Sequence, residues 1–276
     1  MNTPILSVKQ LSVTLQTEAG SRQILENINF VLLPKTLTAI IGESGCGKST
    51  LCKTLLGLLS PKFKIKGILE LNNTDGTKTS FDPSRPNEMK IIRGHRIGLL
   101  FQEPTLTLNP VLKIQRQIGD ALFNSNQKEI IRLLGLVGFD EPQRIARSYP
   151  HELSGGQTQR IALGLALAGQ PDILIVDEPA TALDSIARQE FFDLMRRLQA
   201  NSDLTILMVT HDLHFLSAIA NRVIVMHSGR IIETGTPQTI LDQPAHPYTQ
   251  KLLGIQQAFD NGQWPEEVLL SNDKCS

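Results

Sequence analysis

Gly42-Glu43-Ser44-Gly45-Cys46-Gly47-Lys48-Ser49 is the stretch on which the fold of this chain turns. It follows an apolar run, Leu37-Thr38-Ala39-Ile40-Ile41. It leads into Thr50-Leu51-Cys52-Lys53-Thr54-Leu55-Leu56, whose apolar side chains recur at helical spacing. Average glycine usage alone produces the bare glycine and lysine pattern in about one chain of this size in a hundred, so the flanks decide. Strand, glycine-rich loop and helix is the order that a phosphate-binding loop requires. The glycines let successive backbone N–H groups turn inward as a concave anion nest. The helix that follows adds the positive end of its dipole at the same point. Lys48 then reaches the β- and γ-phosphates, and the Ser49 hydroxyl is placed to hold Mg²⁺. Residues 42–50 are therefore expected to bind a nucleotide.

The bulk properties narrow the class. A chain of 276 residues with 41% hydrophobic and 20% charged residues is an ordinary globular protein able to bury a core. Its formal net charge of +0 gives no electrostatic case for nucleic acid as a partner. Cys46, Cys52 and Cys275 make neither a zinc nor a disulfide pattern, so a reducing compartment is expected. The opening Met-Asn-Thr-Pro-Ile-Leu lacks a basic region followed by a long apolar stretch, and no signal peptide is expected. No run approaches the ~18 apolar residues that cross a bilayer. A membrane role would have to run through partners.

Taken in order, residues 7–15 and a second run ending at Ile28-Asn29-Phe30-Val31-Leu32 alternate apolar and polar side chains around the turn residues Glu18-Ala19-Gly20-Ser21. They predict an antiparallel β-layer beside the phosphate-loop strand. Gly67-Ile68-Leu69-Glu70-Leu71 reads as a further strand, and the polar, proline-bearing stretch 77–87 as a surface loop. Ile97-Gly98-Leu99-Leu100-Phe101 fits a buried strand that delivers Gln102. From 111 to about 168 the periodicity is helical, with Ile114, Ile118, Leu122, Ile130, Leu133, Leu134 and Val137, which predicts a helical subdomain inserted into an α/β core. Strands return at 173–176 and 204–209, separated by a helix from about 185 to 200. A terminal hairpin is predicted around Ser228-Gly229. Beyond Pro244 the chain turns polar.

Two more stretches carry chemistry. Asp177 and Glu178 end a fully apolar strand, Ile173-Leu174-Ile175-Val176, where an open parallel sheet presents its ligand-facing groups. Asp177 is placed to reach Mg²⁺. Glu178, one residue later and so on the other side, is placed to accept a proton from a water attacking the γ-phosphate. In Leu153-Ser154-Gly155-Gly156-Gln157, Ser154 and Gln157 satisfy the capping-box spacing before the periodicity of Ile161, Leu165 and Ala168. Two glycines are not needed for a cap and weaken a helix. They would let a phosphate approach that helix terminus closely. Since the phosphate at Lys48 already has its own helix, this second terminus makes sense if it serves the nucleotide of another copy.

The chain resembles, over nearly its whole length, an ATP-binding cassette (ABC) ATPase, the nucleotide-binding subunit of membrane transporters. GESGCGKST, LSGGQ, ILIVDEP, Thr-Ala-Leu-Asp and Thr-His-Asp stand in the family order. The resemblance implies an α/β P-loop core with an antiparallel β-subdomain and the inserted helical subdomain. A nucleotide-binding domain would span 1–240, and a C-terminal extension 241–276. It further implies a head-to-tail dimer with two ATP molecules sandwiched between subunits, each held by Gly42, Glu43, Ser44, Gly45, Cys46, Gly47, Lys48, Ser49 and Thr50 of one subunit. The other subunit contributes Ser154, Gly155, Gly156 and Gln157. By the same resemblance Gln102 senses Mg²⁺ and the transmembrane partner, and Glu178 is the catalytic base. His211 contacts the γ-phosphate and orients the water, and Asp184 lies at the dimer interface. The family usually stacks an aromatic residue on adenine from the early β-layer. Here the matching position is Leu15, and residues 1–29 contain no aromatic, so adenine stacking is left unassigned.

Thr107-Leu108-Asn109-Pro110, Ser148-Tyr149-Pro150-His151-Glu152 and His246-Pro247-Tyr248-Thr249 resemble one branch, the importer ATPases for dipeptides, oligopeptides and nickel. Many members of that branch extend into a cysteine-rich tail that binds an iron–sulfur cluster. Cys275 alone does not supply the four ligands a cluster needs. The branch implies an ATPase that powers uptake of peptides, nickel, a metallophore or a related small solute. It would work from the cytoplasmic face of the membrane, bound to two permeases and to a second ATPase, related or identical. An extracytoplasmic solute-binding protein would take part indirectly. The competing readings are an exporter ATPase with separate membrane subunits and a soluble ABC protein acting on DNA or ribosomes. The second would call for two cassettes, long coiled coils or strong basic character.

Overall fold

The computed structural model describes residues 3–18, 20–73, 76–101, 103, 107–122, 126–179, 183–210 and 212–260. Two sheets organise it. The first is antiparallel and four-stranded, in the order β2-β1-β4-β5, from β1 (Leu6–Thr17), β2 (Gly20–Leu32), β4 (Phe63–Asn72) and β5 (Lys78–Phe81). The second is six-stranded, in the order β10-β9-β3-β8-β7-β6. It contains β3 (Leu37–Ile41), β6 (Ile97–Leu100), β7 (Ile173–Asp177), β8 (Thr205–Val209), β9 (Arg222–His227) and β10 (Arg230–Gly235). Its strands run parallel except β10, which returns antiparallel to β9 as the terminal hairpin.

The second sheet is buried on both faces, so its central strands read as unbroken apolar runs. Successive side chains then go to different cores. Ile40, Ile173, Ile175, Leu207, Val209, Ile224 and Met226 join β1, β2 and helix α1 (Lys48–Leu55) on one face. Ala39, Ile41, Leu174, Val176, Ile206, Met208, Val223 and Val225 join the helices on the other. Those helices include α3 (Ile114–Ala121), α4 (Gln127–Leu136), α5 (Pro142–Arg147) and α6 (Gly155–Leu167), which fill the stretch between β6 and β7. Ile114, Ile118, Ile130, Leu133, Leu134 and Val137 are buried there, as the periodicity predicts. Helix α7 (Ser185–Asn201) packs on the same face through Phe191, Leu194 and Leu198.

One correction applies. The stretch 77–87 is not a loop. It holds β5, which pairs with β4 through Leu69 and Phe81, and the start of α2 (Pro86–Ile92), whose Met89 and Ile92 are buried. The segment after β10 holds α9 (Pro237–Asp242) and α10 (Pro247–Asp260), while the short α8 (Leu213–Ile219) lies between β8 and β9. Tyr248 and Leu252 of α10 pack against the helical core, and Leu253 is buried. Among the described residues no helix is long and apolar enough to cross a membrane.

Candidate functional site

Helix α1 starts at Lys48 with Gly47 as its N-cap in the left-handed conformation (φ 108°), and no side chain caps it. A Cβ at Gly47 would lie 2.7 Å from a Leu25 methyl, and one at Gly42 would lie 2.2 Å from the Met226 carbonyl oxygen. The loop is therefore clamped between β2 and the end of β9, and only residues without side chains pass there. Lys48 is 4% exposed. Its ammonium donates to the carbonyl oxygens of Gly42 and Glu43, both at 2.8 Å, with the Glu178 carboxylate 4.0 Å away. A buried cation held by neutral carbonyls, at the foot of a helix whose first N–H groups no side chain takes up, is a charge arrangement that a polyphosphate completes.

The floor of this site is the end of β7. Asp177, 5% exposed, accepts a hydrogen bond from the Ser49 hydroxyl at 3.1 Å. Burial holds its carboxyl above the usual carboxylate range. The Ser49 bond opposes that rise and the charge of Glu178 adds to it. A hydroxyl and a buried carboxylate side by side are hard oxygen donors suited to Mg²⁺. Strand alternation predicts Glu178 on the side away from Asp177. Instead the backbone turns left-handed at Glu178 (φ 47°), where its N–H donates to the Val209 carbonyl at 3.0 Å. This strained turn, rare for a side-chain-bearing residue, brings both carboxylates to the phosphate loop. Gln102 and His211 lie outside the described residues.

The second anchor is built differently. Ser154 caps α6 as its spacing predicts: the hydroxyl accepts from the Gln157 N–H (3.3 Å), and the Gln157 side-chain oxygen accepts from the Ser154 N–H (3.1 Å). A Cβ on Gly155 would meet nothing within 4 Å, and one on Gly156 would only touch Ala187 at 3.4 Å. The chain's own packing requires neither glycine. Asp184 caps α7, accepting from the Ala187 N–H at 2.8 Å. Ser154, Gly155, Gly156, Gln157 and Asp184 line one open cleft of about 680 Å³, braced by Arg160, which bonds the Gly138 carbonyl (2.9 Å) and Glu190 (2.6 Å). Neither the phosphate loop nor the Asp177–Glu178 pair is among the described residues that line it. One chain thus holds two separate anchors.

Two contacts have no local signature in the sequence. Phe63 is the direct cross-strand neighbour of Leu15, which puts an aromatic ring beside the position where the early strands lack one. Tyr248 of α10 lies at the phosphate loop, its hydroxyl accepting a hydrogen bond from the Glu43 N–H at 3.0 Å. Only strand register and a long-range contact reveal them.

Residues 25–181 match the family model described as ABC transporter. The chain is 39% identical over 259 residues to the dipeptide transport ATP-binding protein DppD of Bacillus subtilis, covering 91% of this chain and 76% of that protein. To the oligopeptide transport ATP-binding protein OppD of the same organism it is 38% identical over 260 residues, covering 91% and 71%. Among solved structures it resembles the ATP-binding cassette MJ0796 in a dimeric post-hydrolysis state bound to ADP and Pi, with TM-score 0.70, 26% identity, and 84% and 98% of the two chains covered. It also resembles cbiO1 of Clostridium perfringens, part of the transporter complex cbiONQ, with TM-score 0.71, 27% identity, and 98% and 99% covered.

Proposed function

Since this chain belongs to the ABC transporter family, we propose that it is the ATP-hydrolysing subunit of an importer, with peptides as the cargo class. The observation that carries the chemistry is the convergence of the buried Lys48, the Ser49–Asp177 pair and Glu178 on the uncapped start of α1. The relatives support the direction of transport and the cargo, because those at 38–39% identity are named for dipeptide transport, oligopeptide transport and putative peptide import.

In this reading residues 42–50 wrap the phosphates with backbone N–H groups, and Lys48 turns its ammonium from the loop carbonyls toward the β- and γ-oxygens. Ser49, Asp177 and Gln102 would hold Mg²⁺, which when bound would neutralise the charge that develops on the phosphates. Glu178 takes the proton from the attacking water, and His211 orients that water. The α6 terminus of a second cassette, a copy or a related chain, closes over the γ-phosphate with Ser154, Gly155, Gly156 and Gln157, and Asp184 lies at that interface. Closure of the pair and its reopening after hydrolysis would move two permeases. The chain would then act peripherally at the cytoplasmic face of the membrane, served indirectly by an extracytoplasmic solute-binding protein.

Glu178→Gln tests the reading directly. ATP binding should persist, a nucleotide-dependent dimer should accumulate on a sizing column, and turnover should fall by about 10²–10⁴-fold, the usual contribution of a general base. Hydrolysis at the wild-type rate would remove Glu178 from the base role.

A further inference from the structure

Among the described residues the C-terminal segment returns to the phosphate loop at Tyr248. Pro247–Asp260 forms α10, and its start is fixed by β10: Glu233 accepts hydrogen bonds from the N–H groups of Ala245 (2.8 Å) and His246 (3.1 Å). The Tyr248 N–H donates to the His246 ring nitrogen Nδ1 at 3.1 Å, and the Tyr248 ring packs on His227 at the end of β9, with centroids 3.9 Å apart. Four contacts therefore fix where the phenol oxygen sits, and it accepts the N–H of Glu43 at 3.0 Å.

That N–H belongs to the peptide unit that joins Gly42 to Glu43. The other end of the same unit is the Gly42 carbonyl, which accepts the Lys48 ammonium at 2.8 Å. A planar peptide does not turn one end without turning the other. Whatever holds the Glu43 N–H therefore also sets the carbonyl against which Lys48 is parked. Glycine at 42, with φ 151°, leaves this unit free to rotate unless a partner fixes it.

We propose that Tyr248 is a positioning residue for nucleotide binding: its hydroxyl locks the Gly42–Glu43 peptide and so pre-sets the phosphate loop and the Lys48 ammonium for the triphosphate. The assignment rests on the ATPase reading above and extends it to the segment after residue 240. Burial pushes the Tyr248 phenol up to about 12, so it remains a neutral hydroxyl across any working pH.

The test is Tyr248→Phe in the full chain, which keeps the ring on His227 and removes only the acceptor. The probe is a fluorescent ATP analogue, titrated alongside steady-state kinetics and nucleotide-free melting. One ordinary hydrogen bond corresponds to an affinity loss of about 3–10-fold, read as a higher Kd and KM with kcat at saturating ATP little changed. The nucleotide-free melting temperature should stay near wild type, which a purely structural contact would not allow, and the ratio between variant and wild type should be flat from pH 6.5 to 9. Tyr248→Leu, which also loses the ring packing, should lower both affinity and melting temperature. Unchanged affinity in Tyr248→Phe, with wild type binding normally, overturns the positioning role alone. Failure of wild type to bind the analogue overturns the ATPase reading, and this assignment with it.

Discussion

The chain contains two helix N-termini suited to phosphate, and they are finished in opposite ways. At α1 the cap is a left-handed glycine, no side chain takes up the first N–H groups, and a buried lysine stands ready beside two carboxylates. At α6 the protein has satisfied its own terminus: Ser154 and Gln157 bond each other's backbone, and Gly155 faces open space. Around α1 the glycines are demanded by the fold, because a Cβ at 42 or 47 collides with this chain. Around α6 the described residues demand neither glycine, which leaves room for the partner's phosphate proposed above. The α1 terminus keeps its donors open and its charges buried, awaiting a ligand. The α6 terminus is capped and solvated, as the proposed half-site for a partner's nucleotide would be.

Mixing two inactive variants is the severest way to break this contrast. Ser154→Arg removes the α6 half-site at the cost of one helix cap, about 0.5–2 kcal/mol, which is too little to unfold the domain. Lys48→Ala removes the other half-site. Each alone should lose nearly all turnover. Combined in equal amounts, a self-pairing chain should recover about a quarter of the wild-type rate, since half the dimers are mixed and each mixed dimer has one intact site. Where a sizing column shows that the chain pairs with itself on ATP, a mixture as inactive as its components would mean that both anchors serve one chain's own nucleotide.

One substitution made in both places sharpens the contrast further. Gly47→Ala forces a side chain into φ 108° and against Leu25, so nucleotide-free stability should fall by about 1–3 kcal/mol or more, measured by denaturant unfolding. Gly155→Ala meets no neighbour and sits outside the positive-φ residues, so it should raise nucleotide-free stability by about 0.4–1 kcal/mol while lowering ATP turnover. Opposite signs on stability with a shared loss of activity are the outcome the comparison requires. If Gly155→Ala left turnover intact, no phosphate would approach α6 closely.

What the sequence makes legible follows the range of the interactions involved. The α6 cap spans three residues and the central strands are buried on both faces, so both leave local signatures: a Ser-x-x-Gln spacing and unbroken apolar runs. Edge strand β5 leaves none. Lys78, Thr79 and Ser80 are exposed and only Phe81 is buried, so its strand character comes from pairing with β4 rather than from its own pattern. The left-handed turn at Glu178 is invisible for a similar reason, since its N–H is held by Val209 of the neighbouring strand. The contact between Tyr248 and Glu43 spans 205 positions and could not be anticipated from either stretch.

The smallest effect probes why the α1 site is left unfinished. Asp177 is buried beside Ser49, and its burial, more than the charge of Glu178, raises its carboxyl above the ordinary range. A carboxyl with a higher pKa folded than unfolded holds its proton longer in the native state. Its favourable contribution is full below the ordinary aspartate value of about 4 and is lost as pH rises through the folded value. Near neutral pH the ionised Asp177 therefore weighs against the nucleotide-free fold. Asp177→Asn keeps the shape and an acceptor for Ser49 but cannot ionise. Its melting temperature relative to wild type should rise as pH increases from about 4 to 7 in the absence of nucleotide. With Mg²⁺ and ATP added the order should reverse, because the wild-type carboxylate gains a cation that the amide holds poorly. A difference that ignores pH would mean that burial does not penalise this charge. The floor of the α1 site would then be as self-sufficient as the α6 cap, and the contrast between the two termini would reduce to their glycines.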